Sequence, residues 1–395
     1  MQVTRQDITM IQTISSERIP IKLWLEDIEP GALQQAKDIA NHHYAAHHIA
    51  IMPDCHQGFG MPIGGVLATR EVVIPNAVGV DIGCGMCAQK TSLKAMPESS
   101  LVKIVEIIKK SVPVGFRHHK SPCGKDLLPP INQKLPVIER EYENASYQLG
   151  TLGGGNHFIE LQKGSDGFVW IMVHSGSRNL GKQVADHYYK KAVRETETNF
   201  KKLKTPKQLS FLPLDSDEGY LYLKEMQYCT DFAFASRKRM INVISEITGY
   251  YFKDVKFSKF INIAHNYASP EKHFGEHLIV HRKGATSAKK GEYGIIPGSQ
   301  GSNSYITLGR GNPESFESCS HGAGRTMGRR EAQRSLDLKH EKLILDKKGI
   351  IHSLHRQRDL DEASGAYKDI SRVMKLQSDL VEVVTELRPM AVIKG

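Results

Sequence analysis

Three histidines in this chain lie beside short apolar runs. His174 follows Ile171-Met172-Val173, and His265 follows Ile261-Asn262-Ile263-Ala264. His157 sits inside Leu152-Gly153-Gly154-Gly155-Asn156-His157-Phe158-Ile159-Glu160. A single histidine at a strand end is ordinarily just a satisfied polar group. Three of them beside Val80-Asp81-Ile82-Gly83-Cys84-Gly85-Met86 are harder to explain that way. Asp81 offers a hard oxygen and Cys84 a soft thiolate, three residues apart across a glycine turn. Both can reach one metal, and a thiolate can bridge two. The plain alternative for that pair is a strand-ending aspartate beside a buried cysteine. Thiolate, imidazoles and carboxylate together suit a transition metal such as Mn²⁺, Zn²⁺ or Fe²⁺. Cys84-x-x-Cys87 also fits half of a zinc or redox motif, but no second Cys-x-x-Cys exists to complete it.

A second group of residues suits phosphate. Ser320-His321-Gly322-Ala323-Gly324-Arg325 has the composition of an anion-cradling loop that enters a helix, with a histidine at its mouth. That histidine could serve as ligand, base or nucleophile. Ile296-Pro297-Gly298-Ser299 and Arg282-Lys283-Gly284-Ala285-Thr286 add glycine, hydroxyl and cationic groups, and Arg178 brings a fork of donors. Most of the 34 glycines fall in short clusters next to a His, Cys or Asp, where backbone can approach a ligand closely. No Gly-x-x-x-x-Gly-Lys-Ser/Thr run is present, so a nucleotide site here is not a P-loop.

The elements that must position these groups are short strands and amphipathic helices. Apolar, glycine-punctuated runs predict strands at Ile49–Met52, Val66–Ala68, Ala77–Ile82, Val169–Val173 and Phe260–Ala264. Helical periodicity shows at Ser100–Lys110, Pro136–Leu149, Leu180–Glu197, Thr326–Leu336 and Ile370–Leu387, the last closed by Pro389. A charged amphipathic stretch over about 217–249 reads as a helical arm or insertion. Strands and helices do not alternate, so the fold class expected is α+β with a mixed sheet core, not a doubly wound sheet.

The chain has 395 residues and a net charge of +10, a balance that favours a polyanionic partner. Its six cysteines are too sparse for a disulfide framework. It has no run of eighteen apolar residues and no apolar leader over Met1–Ile11, which makes the cytoplasm the expected compartment and a membrane partner unexpected.

Taken in order, these segments resemble the RtcB family of RNA-splicing ligases, almost from end to end. The resemblance is carried first by Met52-Pro53-Asp54-Cys55-His56-Gln57-Gly58, Gly64-Gly65, Asp81 to Met86, Gly154 to Phe158 and His174 to Arg178. His265-Asn266-Tyr267, His321 to Arg325, Ala366-Tyr367-Lys368-Asp369 and Lys394-Gly395 complete it. It implies one catalytic domain over 1–395 and a centre of two Mn²⁺ ions. Cys84 would bridge the ions, His174 and His265 would complete one site, and Asp81 and His157 the other. It makes His321 the nucleophile that attacks GTP and carries GMP. It assigns guanine recognition to Tyr367, Glu160 and Lys394, with Asn156, Ser299, Ala323 and Arg325 nearby. Arg178 and Lys283 would hold phosphates. The substrate implied is RNA with a 3′-phosphate or 2′,3′-cyclic phosphate end and a 5′-hydroxyl end. The natural RNA (tRNA halves, cleaved messages or nicked ribosomal RNA) and the need for an archease-type activator stay open.

This sequence departs from the family at Cys55, where an apolar residue is expected. His118-His119-Lys120-Ser121-Pro122-Cys123-Gly124 is a subgroup feature, and 217–249 matches no motif. The competing reading of the same residues is a two-metal phosphoesterase or nuclease, since metals at phosphorus serve hydrolysis as readily as ligation. A metal-stabilised RNA-binding protein without turnover would need neither a nucleophile nor a purine pocket.

Overall fold

The computed structural model describes residues 10–395, and the first part of the N-terminal stretch judged for a leader lies outside them. Two large sheets form the framework. The six-stranded sheet runs Gln12–Ile14, Ile21–Leu23, Ala45–Phe59, Met61–Thr69, Glu276–Lys283 and Asn266–His273 across its width. Only the pairing of Ile21–Leu23 with Ala45–Phe59 is parallel. The seven-stranded sheet is antiparallel throughout, in the order Phe257–Ala264, Gly85–Thr91, Val169–Ser175, Phe158–Gly164, Val381–Lys394, Ser304–Gly309 and Tyr293–Ile296. It curls until its edges nearly meet. Ile261 and Ile263 of one edge strand share an apolar cluster with Ile295 and Tyr293 of the other, and Lys259 Nζ sits 3.3 Å from the Tyr293 ring centroid. The mixed α+β class read from the sequence is the one observed.

Val169–Ser175 is buried along its whole length, because the sheet is covered on both faces. One face packs on Glu98–Ser111 and on part of Asp217–Tyr251, through Leu101, Ile104, Ile108, Met240 and Ile244. Asp217–Tyr251 is the charged stretch expected as an arm or insertion. It is a 35-residue helix whose buried face runs from Gly219 to Thr248, and it does not project. Ser216 caps its start by accepting from the Gly219 amide at 3.1 Å. Most of its charges occupy the outer face, as in an amphipathic helix packed on a core, but Glu225 and Arg237 are buried on the inner one.

Two expected elements differ. Ala77–Ile82 is not a strand: Pro75–Ala77 makes one 3₁₀ turn, and Gly79 and Gly83 at φ of 94° and 72° turn the chain again. Ile370–Leu387 is not one helix. The helix covers only Ile370–Lys375, and Val381–Lys394 is a central strand. The β-branched set Val381, Val383, Val384 and Thr385 favours the pleated ladder over the helix. Pro389, read as a helix stop, sits at a register shift in that strand, where its missing N–H is accommodated. Helices also form at Pro30–Ala40 and Leu338–Lys347, which hydropathy periodicity did not single out. Among the described residues no helix is long and apolar enough to cross a membrane.

A candidate metal and nucleotide site at one end of the sheet

Antiparallel order explains how residues far apart in sequence meet. Cys84 immediately precedes Gly85–Thr91, His157 immediately precedes Phe158–Gly164, His174 is the penultimate residue of Val169–Ser175, and His265 follows Phe257–Ala264. Gly85 pairs with Ser175 and with Ala264, and Phe158 pairs with His174. Four adjacent strands therefore deliver four donors to the same sheet end. Lys394, paired with Phe158, is brought there by the fifth.

The donors converge. Cys84 Sγ lies 3.3 Å from His174 Nε2 and 3.5 Å from His157 Nε2, and His174 Nε2 lies 3.4 Å from His265 Nε2. Asp81 Oδ2 is 3.1 Å from His157 Nε2. Cys84, His174 and His265 form one group able to hold an ion, and Asp81, Cys84 and His157 a second, with Cys84 common to both. Backbone carbonyls set the rings: Leu152 O accepts from His157 Nδ1 at 2.9 Å and Asn156 O from His174 Nδ1 at 3.0 Å, which leaves each Nε2 turned inward. Burial, reinforced by neighbouring imidazoles, drives the His174 and His265 pKa values well below the usual histidine range, so both rings are neutral. Burial also pushes the Cys84 thiol well up, with the Asp81 charge acting in the same direction. A buried thiol beside three inward-facing imidazole nitrogens is an electron-rich cluster. Two divalent ions would fit this donor set and would stabilise the thiolate.

His321 stands beside this cluster, its ring centroid 4.8 Å from that of His265. Its Nδ1 lies 2.7 Å from Oδ2 of Asp54, a carboxylate with no exposure, and the same oxygen accepts from the amides of His321 at 3.0 Å and Gly322 at 3.3 Å. Burial raises the Asp54 pKa, but His321 and Lys368 outweigh it and hold the carboxyl below its usual value. Facing a carboxylate, Nδ1 is the donor of this pair, and in the neutral ring of that tautomer the free lone pair lies on Nε2. The close approach requires glycine at 324 (φ 74°), where a Cβ would fall 2.1 Å from Asp54 O.

A pocket opens in front of His321. Its lining contains Asn156, Glu160, Ser299, Ala323, Arg325, Tyr367 and Lys394, together with His174 and His321. The structure therefore brings all seven residues named for the nucleotide to one cavity. Glu160 is buried, and burial pushes its pKa up to about 8 against the opposing pull of Lys394 and Gln162. Arg178 enters its helix in the left-handed region, φ 60°, and extends beneath Gly153, where its Nη1 comes to 3.4 Å from His157 Nδ1. Lys283 does not line the pocket. Its ammonium donates to the carbonyls of Phe59 and Asn76, and burial lowers its pKa to about 7.

Four functional side chains were given no role from sequence. Asp54 was quoted only as part of a motif. Glu362 and Arg329 lie in the pocket wall: Glu362 accepts from Arg325 Nη1 at 3.1 Å, Arg329 Nε at 3.0 Å and the Tyr367 hydroxyl, with Lys394 Nζ at 3.5 Å. Burial alone would raise the Glu362 pKa, yet Lys394, Tyr367 and the two arginines keep it low. Arg237, fully buried on the long helix, donates to Gly83 O at 2.9 Å, Ser175 O at 2.7 Å, Ile263 O at 3.2 Å and Asn262 Oδ1 at 2.7 Å. No local pattern marks it, because its partners are backbone atoms of three other segments. Cys55, by contrast, is core packing.

Comparison with known proteins agrees with this geometry. Two proteins of Escherichia coli, RNA-splicing ligase RtcB1 from one strain and RNA-splicing ligase RtcB from strain K12, are each 38% identical over 97% of this chain and 99% of their own. A tRNA-splicing ligase RtcB of Methanococcus maripaludis is 31% identical over 95% of this chain and 93% of its own. The family model described as tRNA-splicing ligase RtcB matches residues 35–135 and 130–395, and the chain accordingly belongs to the RtcB family.

Proposed function

We propose that this protein is a GTP-dependent RNA ligase that joins a 3′-phosphate or 2′,3′-cyclic phosphate end to a 5′-hydroxyl end through a His321–GMP intermediate. The observation that carries the reading is the placement of His321. Its Nδ1 faces buried Asp54, and its ring borders both the donor cluster and the pocket. The relatives' printed names, RNA-splicing and tRNA-splicing ligase, support the substrate class.

In this reading Cys84, His174 and His265 hold one Mn²⁺, and Asp81, Cys84 and His157 the other. Bound there, the ions would neutralise the triphosphate and the developing charge at phosphorus. The lone pair of His321 Nε2 forms a bond to the α-phosphorus of GTP as the bond to the β-phosphate oxygen breaks, and pyrophosphate leaves. Asp54 stabilises the cationic imidazole that results. An oxygen of the RNA 3′-phosphate then attacks the same phosphorus, and the N–P electron pair returns to Nε2. The 5′-hydroxyl displaces GMP from the activated end, giving up its proton, and the strand is sealed. A cyclic end is opened by water first. In the same reading Arg178, beside His157, would meet a phosphate, whereas Lys283 would first have to leave its carbonyls. We take residues 1–395 to act as one catalytic domain.

Incubation with GTP and Mn²⁺ followed by intact-mass measurement tests this directly. The wild type should gain the mass of one GMP residue and His321→Ala none. If neither gains mass with metal loading confirmed, the two-metal hydrolase takes precedence and RNA cleavage is the next assay.

Guanine recognition carries its own pH signature. The guanine edge presents N–H donors, so Glu160 must be ionised to accept from it. Its pKa near 8 means that the free site holds a proton below that pH. GMP affinity should therefore rise as pH increases from 6 to 8, by up to about tenfold per unit where Glu160 alone limits. Binding should release a proton, seen calorimetrically as buffer-dependent heat. Glu160→Gln should flatten the profile, and a wild-type affinity constant over this range would remove Glu160 from that role.

A further inference from the structure

The loop before the glycine-rich turn has no part in the chemistry described so far. Gly153 and Gly155 are closely covered, while exposed Gly154 lies against the neighbouring loop. A Cβ at 153 would meet the Arg178 guanidinium, one at 155 would meet Arg329, and one at 154 would lie 3.6 Å from Gly115 Cα. Segment 113–117 thus reaches the donor cluster through Gly153 and Arg178, whose Nη1 lies 3.4 Å from His157 Nδ1. Gly115 N donates to Gly153 O at 2.8 Å, and Arg178 Nη2 donates to Gly115 O at 3.4 Å. A turn closed by Arg117 N to Val114 O at 3.3 Å pushes Phe116 outward, with Gly115 at φ 65°. The Phe116 side chain is wholly exposed.

The loop that carries this ring is basic, with Arg117 and Lys120 exposed beside it. His118 is exposed as well, and residues 113–125 contain no Asp or Glu. The loop is also held in place: His119 N donates to Tyr147 O and Cys123 N to Ser146 O, each at 3.0 Å. An exposed aromatic on a fixed loop, among cations and beside a site for phosphate chemistry, matches the way single-stranded nucleic acid is held. Bases stack on the ring while Arg and Lys meet the backbone phosphates. A protein partner would leave these cations without acidic groups in the loop to offset them.

We propose that Phe116 is a stacking platform for a base of single-stranded RNA close to its reacting end, with Arg117 and Lys120 on the flanking phosphates. This rests on the ligase reading and deepens it, since it says which side of the centre the strand approaches from. It also gives the segment that sets this chain apart, 118–124, a role as the rim of an RNA track.

The test is the affinity of the Mn²⁺-loaded full chain for a short labelled single-stranded RNA bearing a 3′-phosphate, measured by fluorescence anisotropy. Phe116→Ala should raise Kd by roughly five- to hundred-fold, and Phe116→Tyr should restore most of the loss. In Phe116→Trp the new indole should be quenched on RNA addition, against the two native tryptophans, Trp24 and Trp170, which are both buried. An unchanged Kd in Phe116→Ala, or an unquenched indole, overturns the platform. Intact-mass measurement of the GMP adduct on the same preparations reports separately on the ligase reading. A normal adduct with an unchanged Kd sinks the platform alone, and absence of the adduct from all preparations sinks the ligase reading.

Discussion

Asp54→Asn should take up GMP from GTP some 10³- to 10⁴-fold more slowly than the wild type while remaining folded. Three donors converge on Asp54 Oδ2: the His321 amide, the Gly322 amide and His321 Nδ1. Asparagine keeps the shape and offers an oxygen to the two amides, so the loop around His321 is retained. It removes the negative charge that faces the imidazole when Nε2 bonds to phosphorus. It also lets the ring settle as the other tautomer, with Nε2 protonated and unable to attack. Loss of the orienting carboxylate in a Ser-His-Asp triad costs about 10⁴ in rate for the same two reasons. Because His321 and Lys368 hold the Asp54 carboxyl below its usual range, the carboxylate stays ionised and its contribution is fully present above the ordinary aspartate pKa of about 3.9. That contribution is lost only as pH falls through the lower folded value. The measurement is the time course of the GMP adduct by intact mass, with near-ultraviolet circular dichroism to confirm the fold. A wild-type rate in Asp54→Asn would show that His321 needs no such partner.

Arg237→Met should lower stability by about 3–5 kcal/mol and weaken metal binding by roughly 10- to 100-fold. The guanidinium reaches into the sheet end and ties the carbonyls of Gly83, Ser175 and Ile263, each next to or one residue removed from a donor: Cys84, His174 and His265. Methionine fills part of the space but leaves three carbonyls and the Asn262 side chain without a buried donor. The charge matters as well. Burial lowers the Arg237 pKa only to about 10, so the group is a cation at neutral pH, and its field opposes the burial that raises the Cys84 thiol. Arg237→Lys separates the two effects, because it keeps the cation without the planar fork. Thermal unfolding with and without Mn²⁺, and competition for the ion against a chelator, give both quantities. Should Arg237→Met unfold at lower temperature yet bind Mn²⁺ as tightly as the wild type, the residue is a strut and nothing more.

Much of the donor cluster was legible because each ligand is attached to a local signal. An apolar run followed by histidine at 174 and 265, and glycines around Cys84 and His157, are visible within ten residues. The pocket residues needed the family resemblance, since Tyr367 and Lys394 carry no chemistry of their own in isolation. Asp54 and Arg237 were out of reach for a physical reason. Asp54 meets His321 across 267 residues, and Arg237 binds backbone atoms whose positions no residue pattern encodes. The fold was misread where two periods overlap. Residues 370–387 satisfy a helical spacing, but the β-branched half is claimed by strands on both sides, and tertiary pairing wins over local preference. The charged helix read as an arm or insertion from its outer face, while its inner face carries Arg237, which ties the strand ends around the donors.

The delivery of donors by four neighbouring strand ends also sets an order of events in time. Cys84, His157 and His174 are all synthesised well before His265, and His321 emerges later still. Contacts of this separation form slowly and late in folding. A chain cut short before position 265 lacks the last imidazole of the cluster, and one cut short before 321 lacks the histidine that the ligase reading makes the nucleophile. On that reading, nucleotide transfer would appear only after both have emerged and docked.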